Sequence, residues 1–253
     1  LRPVTLYFHG WPGSAAELSS FGPEIAAQVG HFYVVDRSAA PDEGSFSQLA
    51  ARIAATFPDG PLRIVGFSLG AAAALQVAPH LGARVERIDL VSPAAPLQLG
   101  DFLPGMAGAP VFRAALAGRM PFAALTFMQA QVVRIAPAKM AAALMAKARG
   151  ADRALAGDPQ FIAGLAHSLR QSLLAQRAAY TAEIRAYVAD WSGALAKVHQ
   201  PVTIWQGSED DWTPPAMADA LAAQLPSAPA MLLQPGCSHF STLRAYLAAE
   251  PRP

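Results

Sequence analysis

Gly66-Phe67-Ser68-Leu69-Gly70 follows directly on the apolar run Leu62 to Val65 and directly precedes an Ala-rich helical stretch. In that strand-to-helix context G-x-S-x-G sets a nucleophile on a sharp, strained turn, where a Cβ two positions to either side would collide with neighbouring chain. Ser68 Oγ then stands at the C-terminal edge of a sheet. The free N–H groups and positive dipole end of the helix starting at Leu69 favour the negative charge that develops on an attacked carbonyl oxygen. Such a hydroxyl needs an imidazole base near pH 7. Of the six histidines, His239 sits in Pro235-Gly236-Cys237-Ser238-His239-Phe240, a loop after the last strand-like run and so again at that edge. His9 reads as a loop-ordering residue, and His31, His80, His167 and His199 fit surface or helix-end positions. A carboxylate must orient the imidazole. Gly207-Ser208-Glu209-Asp210-Asp211-Trp212-Thr213-Pro214 follows the run Val202 to Trp205, and the spacing from Gly207 and to Thr213-Pro214 selects Asp210 over Glu209 and Asp211. The competing position after Ile88 to Val91 holds Ser92-Pro93-Ala94, without an acid.

These residues need a scaffold that delivers loops to one edge. Short apolar runs at Val4 to Phe8, Phe32 to Val35, Leu62 to Phe67, Ile88 to Val91, Val202 to Trp205 and Ala230 to Leu233 alternate with helical stretches at Glu24 to Val29, Gln48 to Thr56, Leu69 to Ala78 (stopped by Pro79) and Ala216 to Leu225. Runs apolar on both faces, separated by helices, predict an α/β, doubly wound, mostly parallel sheet covered by helices on both faces. The rhythm fails between Ser92 and Gln200, where spacings such as Phe161, Leu165, Leu169 and Leu173 are helical. We read residues 1–92 and 201–253 as a core domain and 93–200 as an inserted all-helical cap. From Pro93 to Gln200 eleven Lys/Arg face five Asp/Glu, net +6, against −5 for the core. That basic surface is either simply solvated beside an acidic core or attracts an anionic substrate or an acidic carrier protein.

Composition narrows the classes further. A chain of 253 residues, 53% hydrophobic and 15% charged, buries enough surface to fold and is not disordered. Its net charge of +1 gives no global field for nucleic acid or an acidic membrane surface. No apolar run reaches the roughly 18 residues that span a bilayer. Cys237 alone allows neither an intramolecular disulfide nor a multi-thiolate metal site, and leans toward a reducing, cytoplasmic setting. It reads as a packed thiol. The chain begins at Leu1 without a Met, which leaves a removed leader open.

The order Ser68, Asp210, His239, preceded by His9-Gly10-Trp11-Pro12-Gly13-Ser14 and interrupted by a helical insertion, resembles the α/β-hydrolase superfamily over nearly the whole chain. The resemblance implies the α/β-hydrolase fold with a helical cap, a catalytic triad, no cofactor and no metal. It also implies an oxyanion hole from the backbone N–H groups of Trp11 and Leu69, with a cis Trp11–Pro12 bond. The family's first two strands have no counterpart here. Asp36-Arg37-Ser38 resembles its D-x-P-G-x-G-x-S loop, but Ser38 replaces Pro and the glycine is delayed to Gly44. A serine nucleophile argues against the dehalogenase and epoxide hydrolase branches, which use Asp, and for a carbonyl substrate. The H-G-W-P-G-S loop is also similar to that of proline iminopeptidases, and size and motif order to carrier-protein methyl esterases.

The expected activity is therefore serine hydrolysis of a carboxylic ester or lactone. A peptidase, a C–C bond hydrolase and a non-catalytic binding protein on the same fold are the alternatives. The expected partner is a small ester-like molecule with an apolar part, held by Trp11, Phe67 and Trp212. Apolar cap residues are further candidates: Phe102, Met106, Phe112, Met120, Phe122, Phe127, Met128, Met140 and Met145.

Overall fold

The computed structural model describes residues 2–38 and 45–250. Gly44, the displaced glycine of the Asp36 loop, lies outside the described residues. In chain order the elements are β1 (Val4–Phe8), α1 (Pro23–Gln28), β2 (Tyr33–Val34), α2 (Ser45–Thr56), β3 (Leu62–Phe67), α3 (Leu69–Leu81) and β4 (Val85–Val91). Next come α4 (Ala109–Leu116), α5 (Arg119–Ile135), α6 (Pro137–Met145), α7 (Asp152–Ala156), α8 (Pro159–Arg170) and α9 (Arg177–Val188). The chain then returns through β5 (Val202–Gly207), α10 (Pro215–Gln224), β6 (Ala230–Gln234) and α11 (His239–Ala249). Between Val91 and Val202 there is no strand.

The strands form one sheet in the order β2-β1-β3-β4-β5-β6, and every adjacent pair is parallel. Register decides where the loops emerge. Phe8 aligns with Gly66, Phe67 with Val91, Val91 with Trp205, and Gly207 with Gln234. The residues just beyond those ends, His9, Ser68, Ser92, Ser208 and Pro235, therefore leave along one rim, as ligand-binding loops of open parallel sheets do.

Strands β1, β3 and β4 are buried on both faces, with Leu6, Tyr7, Phe8, Ile64, Val65, Ile88 and Leu90 fully inaccessible. Their apolar character on both faces has this cause. Helix α3 lies against the middle of the sheet, and Ala71, Ala72, Ala73 and Ala74 let its backbone come close. Two expectations need correction. Pro79 does not stop α3, which runs on to Leu81. So near the C-terminal end the missing amide removes one hydrogen bond of the ladder, and Gly82 at φ 61° ends the helix instead. Strand β6 is not covered on both faces: as the edge strand it exposes Met231, Leu232 and Leu233.

At the opposite end of the sheet Arg63 donates to Asp89 Oδ2 (2.8 Å) and the Tyr246 hydroxyl (2.6 Å) and pairs with Glu250. This largely buried cluster ties the far end of α11, the helix that begins with His239, to β3 and β4.

Candidate active site

Ser68 occupies the turn between β3 and α3 with φ 55° and ψ −126°, a backbone state costly for a residue with a Cβ. The flanking glycines permit it. A Cβ on Gly70 would lie 2.1 Å from the Phe8 carbonyl oxygen, and one on Gly66 2.7 Å from Ala71 Cα. These are backbone contacts that cannot be relieved by a rotamer change. Ser68 N–H donates to the Val91 carbonyl (3.0 Å), which locks the turn to the neighbouring strand. As the first residue of α3, Leu69 has an amide with no carbonyl partner in its own helix.

His239 and Asp210 meet as the spacing requires. His239 Nδ1 lies 2.9 Å from Asp210 Oδ2, and both residues are buried. The other carboxylate oxygen, Oδ1, accepts the Trp212 and Thr213 amides, each at 2.9 Å. Burial alone would raise the Asp210 carboxyl. The His239 charge and hydrogen bond, with the Thr213 amide, outweigh it and hold the group below the ordinary carboxylate range. Thr213 Oγ1 is within 3.1 Å of Asp210 Oδ2, 3.2 Å of His239 Nδ1 and 2.9 Å of the Ser92 carbonyl. The threonine that served only as a spacing marker thus braces the pair. Asp211 turns away to Arg149 (3.1 Å).

Ser68, Trp11, Leu69, Trp212 and Thr213 line one cavity of about 170 Å³, walled on its other side by Met106, Phe112, Met140, Leu144, Leu169, Leu173 and Ile184. Among the described residues no hydrogen bond joins Ser68 Oγ to His239. The Phe67 ring, centred 4.7 Å from the imidazole, packs behind it instead of lining the cavity, and Trp212 stacks on the imidazole at 5.8 Å. Of the apolar cap candidates only Met106, Phe112 and Met140 reach the cavity. Phe102, Phe122 and Met145 are core, while Met120, Phe127 and Met128 point to solvent. His31, His80, His167 and His199 are exposed.

The loop after β1 is held from beneath. The Trp11–Pro12 peptide is cis. Burial, with the Arg37 charge, lowers His9 to about 3, so it is a neutral ring whose Nδ1 lies 2.7 Å from the Gly10 carbonyl. Arg37 donates to the His9 carbonyl (2.7 Å), covers the Trp11 ring and pairs with Glu183 of α9 at 3.0 Å. Glu17 is buried under the same loop, accepting from the Tyr7 hydroxyl (2.7 Å) and the Gly10 amide (3.2 Å). Burial raises it to about 7, against those two hydrogen bonds and the Arg37 charge.

The helical segment also reaches the histidine. Asp152, at the start of α7, accepts the amides of Phe240 (3.0 Å) and Ser241 (2.6 Å) in the first turn of α11. The Ala151 amide donates to the Gly236 carbonyl (2.8 Å). Sequence reasoning counted Asp152 only as one of the cap's few acids and overlooked Glu17. The one signal for Glu17 was an acid within an apolar stretch after His9.

Fold and site together define a hydrolase of the α/β class. The chain matches the Alpha/beta hydrolase family over residues 6–249 and belongs to that family. No curated protein sequence matches it. Among solved structures it is similar to the enol-lactonase from Burkholderia xenovorans LB400, with 17% identity and TM-score 0.64 over 98% of this chain and 88% of that one. It is also similar to the esterase RhEst1 from Rhodococcus sp. ECU1013, with 16% identity and TM-score 0.59 over 98% and 91%. A bromoperoxidase from Bacillus anthracis follows, with 17% identity and TM-score 0.61 over 98% and 89%. At these identities the likeness is one of fold. No helix among the described residues is long and apolar enough to cross a membrane.

Proposed function

We propose that this hydrolase cleaves a small carboxylic ester or lactone through an acyl-enzyme on Ser68, with His239 as general base and acid and Asp210 as its orienting carboxylate. The observation that carries the reading is a strained serine (φ 55°) on an apolar cavity at the rim where a histidine and a buried aspartate are joined at 2.9 Å. His239 takes the Ser68 proton as Oγ adds to the carbonyl carbon. The Trp11 and Leu69 amides hold the oxyanion, and His239 then protonates the leaving alcohol. Water, deprotonated by the same imidazole, releases the acid. In this reading the serine–imidazole hydrogen bond forms when substrate fills the site.

Residues 93–200 act in this reading as a cap, because Met140, Leu144, Leu169 and Leu173 supply the cavity wall facing Ser68. Among the described residues that wall carries no Asp, Glu, Lys or Arg, and Glu183 is committed to Arg37. A terminal amine would find no counter-ion there, which favours an ester or lactone over a peptide. The fold neighbours named for esterase and enol-lactonase chemistry are consistent with that choice.

The test is labelling with a fluorophosphonate probe, mapping of the adduct, and turnover of nitrophenyl esters and simple lactones. An adduct on Ser68, and turnover abolished in Ser68→Ala, is the expected result. Turnover that survives Ser68→Ala overturns the nucleophile; absence of any adduct overturns the catalytic reading.

A further inference from the structure

Helix α5 is largely apolar, with Arg119, Thr126, Gln129, Gln131 and Arg134 as its polar residues, yet only one side is covered. Phe122, Thr126, Ala130 and Val133 are buried against the rest of the helical segment. The opposite side carries Met120 and Ile135, 81% and 82% exposed, with Phe127 and Met128 more than half exposed between them. Leu116, at the end of α4, is a further exposed apolar side chain. These exposed apolar side chains, spread along a helix of about 25 Å for 17 residues with Gln131 and Arg134 among them, mark a contact surface. None of these exposed apolar residues lines the cavity at Ser68, so the surface is no part of that site.

Charge says what covers it. From residue 102 to residue 150 the chain has six Lys/Arg and no Asp or Glu. Arg149 is committed to Asp211. Arg113, Arg119, Arg134, Lys139 and Lys147 are exposed, and among the described residues none forms an ion pair. Arg119 opens α5, and Arg134 stands two turns after Phe127, on the same side. A second copy pressed on this face would bring like charges together. A bilayer with anionic headgroups satisfies both features, taking the apolar side chains at the acyl boundary and the cations among the phosphates.

We propose that α5 docks this protein on an anionic lipid surface, lying in the interface and not spanning it. This goes beyond the hydrolase reading and does not depend on it. The whole-chain charge of +1 hides the feature, because the acidic residues sit elsewhere.

The test is flotation with vesicles of phosphatidylcholine alone and of phosphatidylcholine with an equal part of phosphatidylglycerol, together with sedimentation velocity without lipid. Binding to the anionic vesicles, weakened at least about tenfold as the Debye length shrinks from about 10 Å at 0.1 M salt to about 3 Å at 1 M, is expected. Phe127→Ser with Ile135→Ser, and separately Arg119→Glu with Arg134→Glu, each lower binding about tenfold or more while the unfolding temperature holds. Two results overturn the proposal. One is failure to float with anionic vesicles. The other is a concentration-dependent dimer that Ile135→Ser abolishes, which assigns the surface to a second copy.

Discussion

Glu17→Gln isolates the buried acid beneath the loop after β1. Burial raises Glu17 from 4.5 to about 7, so between those values the folded protein keeps a proton that the unfolded chain has released. Stability therefore is greatest below pH 4.5 as far as this group is concerned, falls as pH rises, and levels off once pH passes through the folded value. Each pH step of one between the two values is worth about 1.36 kcal/mol, so the full loss is about 3 kcal/mol, and about 2.5 kcal/mol of it falls between pH 5 and pH 8. A glutamine mimics the protonated acid: its carbonyl oxygen accepts from the Tyr7 hydroxyl and the Gly10 amide as Glu17 Oε2 does. Urea unfolding followed by tryptophan fluorescence at both pH values gives the two stabilities for each protein. The difference between variant and parent cancels every other titrating group. It is expected to move in favour of Glu17→Gln by about 2–3 kcal/mol from pH 5 to pH 8. Parallel pH dependences for the two proteins would falsify the assignment of a buried, protonated carboxyl.

Asp210→Asn is expected to lower kcat on ester substrates by a factor of about 10⁴, with the protein still folded, because the amide favours the wrong imidazole tautomer. The native carboxyl is held below its ordinary value, so its stabilisation is present above the usual carboxylate range and lost as pH falls through the lowered value. Acid unfolding of Asp210→Asn should therefore begin from a flatter curve. Asp152→Ala leaves the Phe240 and Ser241 amides without their acceptor, for a loss of about 1–3 kcal/mol by denaturant unfolding. It should reduce kcat more than it changes KM, with Asp152→Asn recovering part of both. Gly70→Ala drives a methyl into the Phe8 carbonyl, and loss of about 3 kcal/mol or failure to fold is expected, whereas Gly193→Ala, with open space around it, should be tolerated.

Much of the scaffold is legible in the chain because its signals are local. An apolar run followed by G-x-S-x-G reports a buried strand and a strained turn from neighbours in sequence alone, and β1, β3 and α3 begin where those residues predict. The cover on β6 was misread because an apolar run says nothing about whether a layer lies over it, and an edge strand has only one neighbour. Pro79 misled for a related reason: near the end of a helix a missing donor costs one hydrogen bond, which packing of α3 against the sheet outweighs.

For the candidate site, residue type and spacing single out Ser68, Asp210 and His239 as candidates, since each lies in a loop that follows a strand and parallel register carries all strand ends to one rim. Which groups surround them is another matter. Glu17 matters because Tyr7 and Gly10 close over it, Asp152 because the first turn of α11 needs an acceptor for its free amides, and Thr213 because three polar groups converge on its hydroxyl. Phe67 and Met120 carry apolar side chains alike, yet one packs behind the imidazole and the other stands in solvent. Sequence determined the fold class and the candidate residues, because backbone preference and periodicity act over a few positions. Tertiary structure alone decided burial, hydrogen-bond partners and protonation, because these arise where distant segments exclude water together.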